Sequence, residues 1–179
     1  MSTDQMNIFG LTDNETEDLI EPGYLLVVLN NQKQQLTIEE IFDCSKYNEF
    51  YAISYVSSPS FFSKYTKGFE KVSFILGIND NANLEQFASG IALNAFIDMD
   101  SRISFWNGLA DESKEQINNN RLDIRFGDTD VIIHDKIYLL KNEAASAYRV
   151  VIGSANFSNS AFAGKKQFEN VRIDDDKTL

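Results

Sequence analysis

The sequence predicts an α/β domain in which a mixed β-sheet is sandwiched by helices. Two observations carry this reading. Over the first two thirds of the 179 residues, short strand-like runs alternate with helical stretches. Over the last third, three strand-like runs follow one another, the first two across a polar turn. Alternation favours parallel strands with helices between them, and a hairpin adds antiparallel neighbours. The length suits one compact domain, and a composition 43% apolar and 24% charged is that of a globular chain.

The elements follow in order. Residues 1–21 read as an acidic arm, with Ile8, Phe9 and Leu11 available to order part of it, and Pro22-Gly23 is a turn signal that closes it. Tyr24 to Leu29 is a short apolar run, read as a strand. Thr37 with Glu40 three residues on is a capping-box pattern and predicts a helix to about Ser45. Glu49 to Ser57, rich in aromatic and β-branched residues, reads as a buried strand. Ser58-Pro59 marks a helix start, and Gly68 stops that helix after Lys67. Val72 to Ile78 is the next strand.

Residues 82–109 read as helical, with a break near Asp100; Phe87, Ile91, Ala95 and Met99 recur at helical spacing and read as core. Asp111 to Asn120 is a polar surface helix, and Arg121 to Phe126 alternates like a strand. The final strands are Val131 to Leu140, Tyr148 to Ile152 and Phe168 to Ile173, with a polar turn at Asn142 to Ser146. The acidic stop at Asp174-Asp175-Asp176 reads as a tail or the start of a linker. The expected organisation is an arm at 1–21, a domain at 22–173 and a tail at 174–179.

Composition narrows the chemistry. One cysteine, Cys44, excludes an internal disulfide and a multi-cysteine zinc site, and it reads as buried and inert. One histidine, His134, excludes a multi-histidine metal centre within a single chain. No apolar run approaches the roughly 18 residues of a spanning helix, and no secretory signal is visible, so a soluble cytoplasmic protein without membrane attachment is expected. The net charge of -11 argues against a polyanionic ligand, but its distribution weakens that objection. The arm carries six acids and no base and the tail a net of -2, which leaves -3 for residues 22–173; residues 131–173 hold six Lys or Arg against three Asp or Glu. The last third is locally basic and permits phosphate binding.

Two short segments there carry chemistry. In His134-Asp135-Lys136-Ile137-Tyr138, read as a strand, alternation turns His134, Lys136 and Tyr138 to one side. An imidazole and an ammonium at i and i+2 can grip one phosphate, the first attacking phosphorus and the second holding a non-bridging oxygen. In Gly153-Ser154-Ala155-Asn156, Ser154 and Asn156 again lie two apart, and Gly153 allows a close backbone approach. Phe157 to Phe162 reads as the start of a helix whose free amides would favour an anion. Each segment alone also reads as an ordinary strand or a Gly-Ser-Asn turn; the combination carries the signal.

Together they resemble the phospholipase D superfamily, whose signature is His-x-Lys on one strand and Gly-Ser-x-Asn at the end of the next. A third match, Glu169-Asn170, is similar to single-motif bacterial nucleases, and the chain resembles these and phospholipase D-type restriction endonuclease domains. The likeness spans about residues 131–173. One departure stands out: the signature's aspartate, five residues after the lysine, is Lys141 here, and the stretch between the two segments is longer than usual. A lengthened hairpin accounts for both.

The resemblance implies a phospholipase D-like fold and a nuclease working through a phosphohistidine intermediate, without cofactor or metal. His134 would be the nucleophile. Lys136, Asn156 and Ser154 would bind the phosphoryl oxygens, and Glu169 would contact and orient the imidazole. Because such a route uses two imidazoles, it implies a homodimer with a shared active site, at a surface for which Tyr138, Phe157 and Phe162 are candidates. Nucleic acid, DNA before RNA, is the expected substrate. The resemblance also extends to N-terminal modules of larger DNA-processing or restriction enzymes with a fused or associated helicase. The alternatives are a non-catalytic, dimerising nucleic-acid-binding domain and a lipid phosphodiesterase; the single motif and the absence of a basic amphipathic anchor weigh against the latter.

Overall fold

The computed structural model describes residues 24–29, 36–77, 102–127, 133–164 and 168–177. The helical reading of residues 82–101, with Phe87, Ile91, Ala95 and Met99, lies outside them, as does the acidic arm.

Seven strands form one mixed sheet: β1 (Tyr24–Leu29), β2 (Glu49–Ser54), β3 (Lys71–Leu76), β4 (Leu122–Phe126), β5 (Ile137–Asn142), β6 (Ala147–Gly153) and β7 (Glu169–Lys177). Their spatial order is β1-β7-β6-β5-β2-β3-β4. β2, β3 and β4 run parallel, as expected where helices connect strands, and β5, β6, β7 and β1 are antiparallel neighbours. The flanking helices are α1 (Ile38–Ile41), α2 (Pro59–Thr66), α3 (Asp111–Asn118) and α4 (Asn159–Phe162); residues 102–108 are also helical.

Alternate side chains of every strand turn toward these helices. Phe50, Phe74, Tyr138, Val151 and Val171 meet Phe42, Phe61, Phe62 and Phe162 in one aromatic core. Phe157 sits at its centre, within 5.2 Å of Phe42 and 5.1 Å of Phe74 between ring centroids. Tyr138, Phe157 and Phe162 are therefore core residues at 2% exposure or less, and they do not line an outer surface. Large apolar side chains bury best where they interdigitate, and these three find that inside the chain itself.

Several boundaries differ from the sequence reading for local reasons. The capping box at Thr37 forms as expected, but α1 ends at Ile41 rather than near Ser45. Asp43 Oδ1 takes both the Ser45 amide (2.9 Å) and its hydroxyl (2.6 Å), a turn that competes with continued helix. Cys44, expected buried, is exposed. Ser58 stands at the N-cap of α2, yet its hydroxyl accepts from the Asn159 amide (3.3 Å) at the start of α4.

The acidic stretch expected as a tail is not one. β7 continues through Lys177, paired with β6 down to Ala147. Asp175 receives a two-point contact from Arg149 (2.5 and 2.7 Å), and the same guanidinium donates to the Glu40 and Ile41 carbonyls (2.6 and 3.1 Å). Burial pushes the Asp175 carboxyl up, but the hydrogen bonds and charge of Arg149, with Lys46 beyond, outweigh it and hold it below the usual range. One guanidinium thus ties the last strand to the end of α1.

Candidate active site

Sheet direction gathers the chemistry at one end. β5 and β7 begin there, and β2, β3 and β6 finish there. Ile53 lies opposite Ile137, Ile137 opposite Ile152, and Gly153 opposite Val171. The residues just outside those pairs therefore converge: Ser54 to Val56, His134 to Lys136, Ser154 to Asn156, and Glu169 with Asn170.

His134 and Lys136 were expected inside a strand, but residues 133–136 are not extended ladder; β5 starts at Ile137. The pair meets all the same. Lys136 Nζ lies 3.0 Å from His134 Nδ1 and donates to the His134 carbonyl at 2.6 Å. With the ammonium as donor, Nδ1 is the acceptor and the ring proton of a neutral imidazole sits on Nε2. His134 is exposed while Lys136 is only 7% exposed. Burial pushes the Lys136 ammonium below the ordinary lysine range, and the charges of Glu169 and Asp135 pull it partly back.

Asn156 is fixed by the neighbouring loop. Its Oδ1 accepts from the Val56 amide at 3.2 Å. A backbone N–H can only donate, so the side-chain oxygen must face Val56 and the NH2 group is turned the other way as a donor. The loop carrying it is held from below. Tyr138 Oη donates to the Ala155 carbonyl (2.6 Å), the Phe157 amide donates to Ser54 Oγ (2.9 Å), and Ser54 Oγ donates to the Val56 carbonyl (2.8 Å). Burial raises the Tyr138 phenol well above its ordinary value, which keeps it a neutral donor.

Ser154 and Glu169 are brought together differently from the sequence reading. The Ser154 hydroxyl donates to the Glu169 carboxylate and accepts from the Asn170 amide at 3.1 Å. A hydroxyl has one proton, and this one is directed at Glu169 rather than toward a ligand. Among the described residues the Glu169 carboxylate makes no hydrogen bond to the imidazole; it acts on Lys136 through its charge. Gly153 serves β7, since a Cβ there would lie 2.0 Å from the Asn170 carbonyl oxygen. Ser158 caps α4 with its own side chain, so that four-residue helix does not offer a bare row of amides. Lys141, where the signature has aspartate, lies near the other end of β5 and pairs with Glu143 (2.6 Å) and Glu49 (3.6 Å).

Tyr55 was not foreseen. Its ring centroid lies 5.1 Å from that of His134, inclined at 38°, and 5.8 Å from Lys136 Nζ. No local signal could have found it, because nothing in the sequence states that β2 is the neighbour of β5. Among the described residues no group of three or more His, Cys, Asp or Glu is placed to hold a metal ion, and no helix is long and apolar enough to cross a membrane.

The arrangement sets an imidazole, a largely buried ammonium and an amide NH2 donor around one sheet end, with a carboxylate behind. It can bind a tetrahedral anion and offer it a nitrogen nucleophile. No family model matches the chain, and no curated protein matches it. Solved structures do. Phosphatidylserine synthase from Haemophilus influenzae Rd KW20 superposes with a TM-score of 0.58 at 16% identity, over 86% of this chain and 35% of that one. Yeast tyrosyl-DNA phosphodiesterase superposes with a TM-score of 0.52 at 9% identity, over 84% of this chain and 32% of that one. NucT from Helicobacter pylori aligns over 87% of this chain and 86% of its own length at 15% identity, but with a TM-score of 0.46, too low to speak for the fold. The chain spans about a third of the first two proteins. The domain has the phospholipase D-like α/β fold, a mixed seven-stranded sheet flanked by helices.

Proposed function

We propose that this domain is a metal-independent phosphodiesterase, a nuclease that cleaves nucleic-acid phosphodiester bonds through a phosphohistidine intermediate. The observation that supports the reading is the contact of His134 with Lys136 at the end of the phospholipase D-like sheet where the loop that carries Asn156 also lies. An unprotonated ring nitrogen of His134 attacks phosphorus, and the bond to the leaving oxygen breaks. Lys136 turns from the imidazole to a non-bridging oxygen, and the Asn156 NH2 donates to another; preorganised donors of this kind stabilise the charge that develops there. Glu169 keeps a negative charge near Lys136, and Ser154 keeps Glu169 in place. Water then releases the phosphoryl group from nitrogen.

The leaving oxygen needs a proton, because an alkoxide departs poorly without one. The chain has a single histidine, so the second imidazole comes from a second copy across a twofold axis. A DNA substrate is favoured by the locally basic last third and by a shared fold with a protein named as a tyrosyl-DNA phosphodiesterase. Membership of a larger restriction or DNA-processing enzyme, with a helicase alongside, belongs to the same proposal.

The test is a cleavage assay on single- and double-stranded DNA and on RNA in EDTA, comparing the native chain with His134→Ala. Native cleavage in chelator and none by the variant is the expected result. Activity that disappears in EDTA and returns with Mg²⁺, or that survives in the variant, refutes the mechanism. Hydrolysis of phospholipid vesicles with no cleavage of nucleic acid would move the assignment to a lipid phosphodiesterase.

A further inference from the structure

We infer that Tyr55 is the positioning residue that holds the His134 imidazole, and Lys136 with it, in working orientation. The inference deepens the proposed reaction and depends on it for its kinetic part.

The need for such a residue comes from the backbone. His134 lies in the stretch 133–136, before the ladder of β5 begins, and its side chain is exposed. Sheet hydrogen bonds therefore do not fix it. Among the described residues its side-chain contacts are Lys136 Nζ at Nδ1 and the Tyr55 ring. The carboxylate that could have anchored the imidazole, Glu169, is engaged by Ser154.

Tyr55 is well placed for the task. It follows β2 by one residue, and β2 is the ladder neighbour of β5 through Ile53 and Ile137. Its own position is set by Gly77, whose amide donates to the Ser54 carbonyl at 2.9 Å. A Cβ on Gly77 would meet Tyr55 Cδ2 at 2.9 Å, the Tyr55 carbonyl oxygen at 2.9 Å and the Ile133 carbonyl oxygen at 2.8 Å. The absence of a side chain there lets the tyrosine and the histidine-bearing segment pack against the same spot.

The chemistry of the ring explains what it does. An aromatic face is electron-rich and attracts a cation within about 6 Å. The Lys136 ammonium meets that condition in a site where burial works against its charge. When a lone pair of His134 forms the N–P bond, the bond from phosphorus to the leaving oxygen breaks, and that oxygen takes a proton from the general acid. The imidazole becomes cationic in the same step. Tyr55 therefore favours the state in which both neighbours are positive, and it limits the orientations the imidazole samples before attack.

Three variants and two readouts test this. Tyr55→Phe keeps the ring, Tyr55→Leu removes it, and Tyr55→Met replaces the latter if Tyr55→Leu does not fold by thermal melting. Loss of the ring is expected to lower kcat roughly 10- to 100-fold with KM little changed, and Tyr55→Phe to restore most of it. Because the chain has one histidine, side-chain NMR relaxation reads its ring without ambiguity. The ring should be ordered in the native chain and in Tyr55→Phe, and mobile without the aromatic group. A native chain that cleaves no phosphodiester would defeat the proposed function, while the relaxation data would still decide the role of Tyr55. Equal ring order with and without the aromatic group, or unchanged kcat in a folded Tyr55→Leu or Tyr55→Met, overturns the inference.

Discussion

Replacing Lys136 by methionine should remove activity and leave the fold as stable as before, or more so. The side chain is 7% exposed, and its charge is disfavoured by burial more than Glu169 and Asp135 restore it. Its folded pKa is therefore below the ordinary 10.5. Between those two values the unfolded chain binds the proton and the folded chain does not, so stability rises with pH across that window. Below that window the charge is a net cost to the fold, reduced in part by Glu169 and Asp135. Methionine is unbranched, of similar length and apolar, and the charge it removes is one that burial disfavours. The bond to the His134 carbonyl is lost, but His134 is exposed and water can take that acceptor. A change between zero and a gain of about 1 kcal/mol is expected, at most roughly 2–4 °C in Tm for a chain of this size. The phosphoryl donor disappears, at a cost on the order of 100- to 1,000-fold in turnover. The assay pairs thermal melts from neutral to alkaline pH with DNA cleavage. The native chain should gain on the variant as pH rises. A variant clearly less stable at neutral pH, or one that still cleaves, refutes the reasoning.

Asn156→Ala removes the amide NH2 and the acceptor for the Val56 amide, so turnover should fall on the order of 100-fold, read from single-turnover cleavage with the fold checked by melting. Arg149→Met leaves the half-buried Asp175 with Lys46 and Tyr47 beside it and the Glu40 and Ile41 carbonyls without their donor, a loss of about 1–3 kcal/mol in denaturant unfolding. Because the Asp175 pKa is depressed in the fold, its contribution is present above the unfolded value near 3.8 and is lost as pH falls through the folded one; in Arg149→Met that acid dependence should weaken. Mixing excess His134→Ala chains with native chains under proven subunit exchange should suppress activity beyond dilution, and strictly additive activity would remove the shared site.

The legible parts of this chain were those with local causes. The capping box at Thr37, Pro59 at a helix start, and the apolar runs of β1, β3 and β4 stand close to where their residues place them. The contact of Lys136 with His134 was also readable from their two-residue spacing, whereas Ser154 turns to Glu169 and Asn156 to the Val56 amide. What could not be read depends on partners far away in sequence. Val131 to Leu140 has the composition of one strand, yet β5 starts only at Ile137, where β2 and β6 can pair with it. Asp174 to Asp176 has the composition of a tail, yet β6 supplies a ladder and Arg149 a counter-charge. Tyr138, Phe157 and Phe162 look like interface aromatics until the fold brings a strand, a loop and a short helix together in one core. Glu169 and Tyr55 follow the same rule: which of them touches the imidazole depends on loop packing across about 80 residues of sequence.

The most direct measurement is of the covalent intermediate. The native chain would be mixed with a DNA substrate in EDTA, quenched in alkali within the first turnover, digested and examined by mass spectrometry. A phosphoryl-linked nucleotide, stable to base and labile to acid, should appear on the peptide that carries His134 and be absent in His134→Asn. Turnover without an adduct on His134, or cleavage by the His134→Asn chain, would contradict the phosphohistidine account.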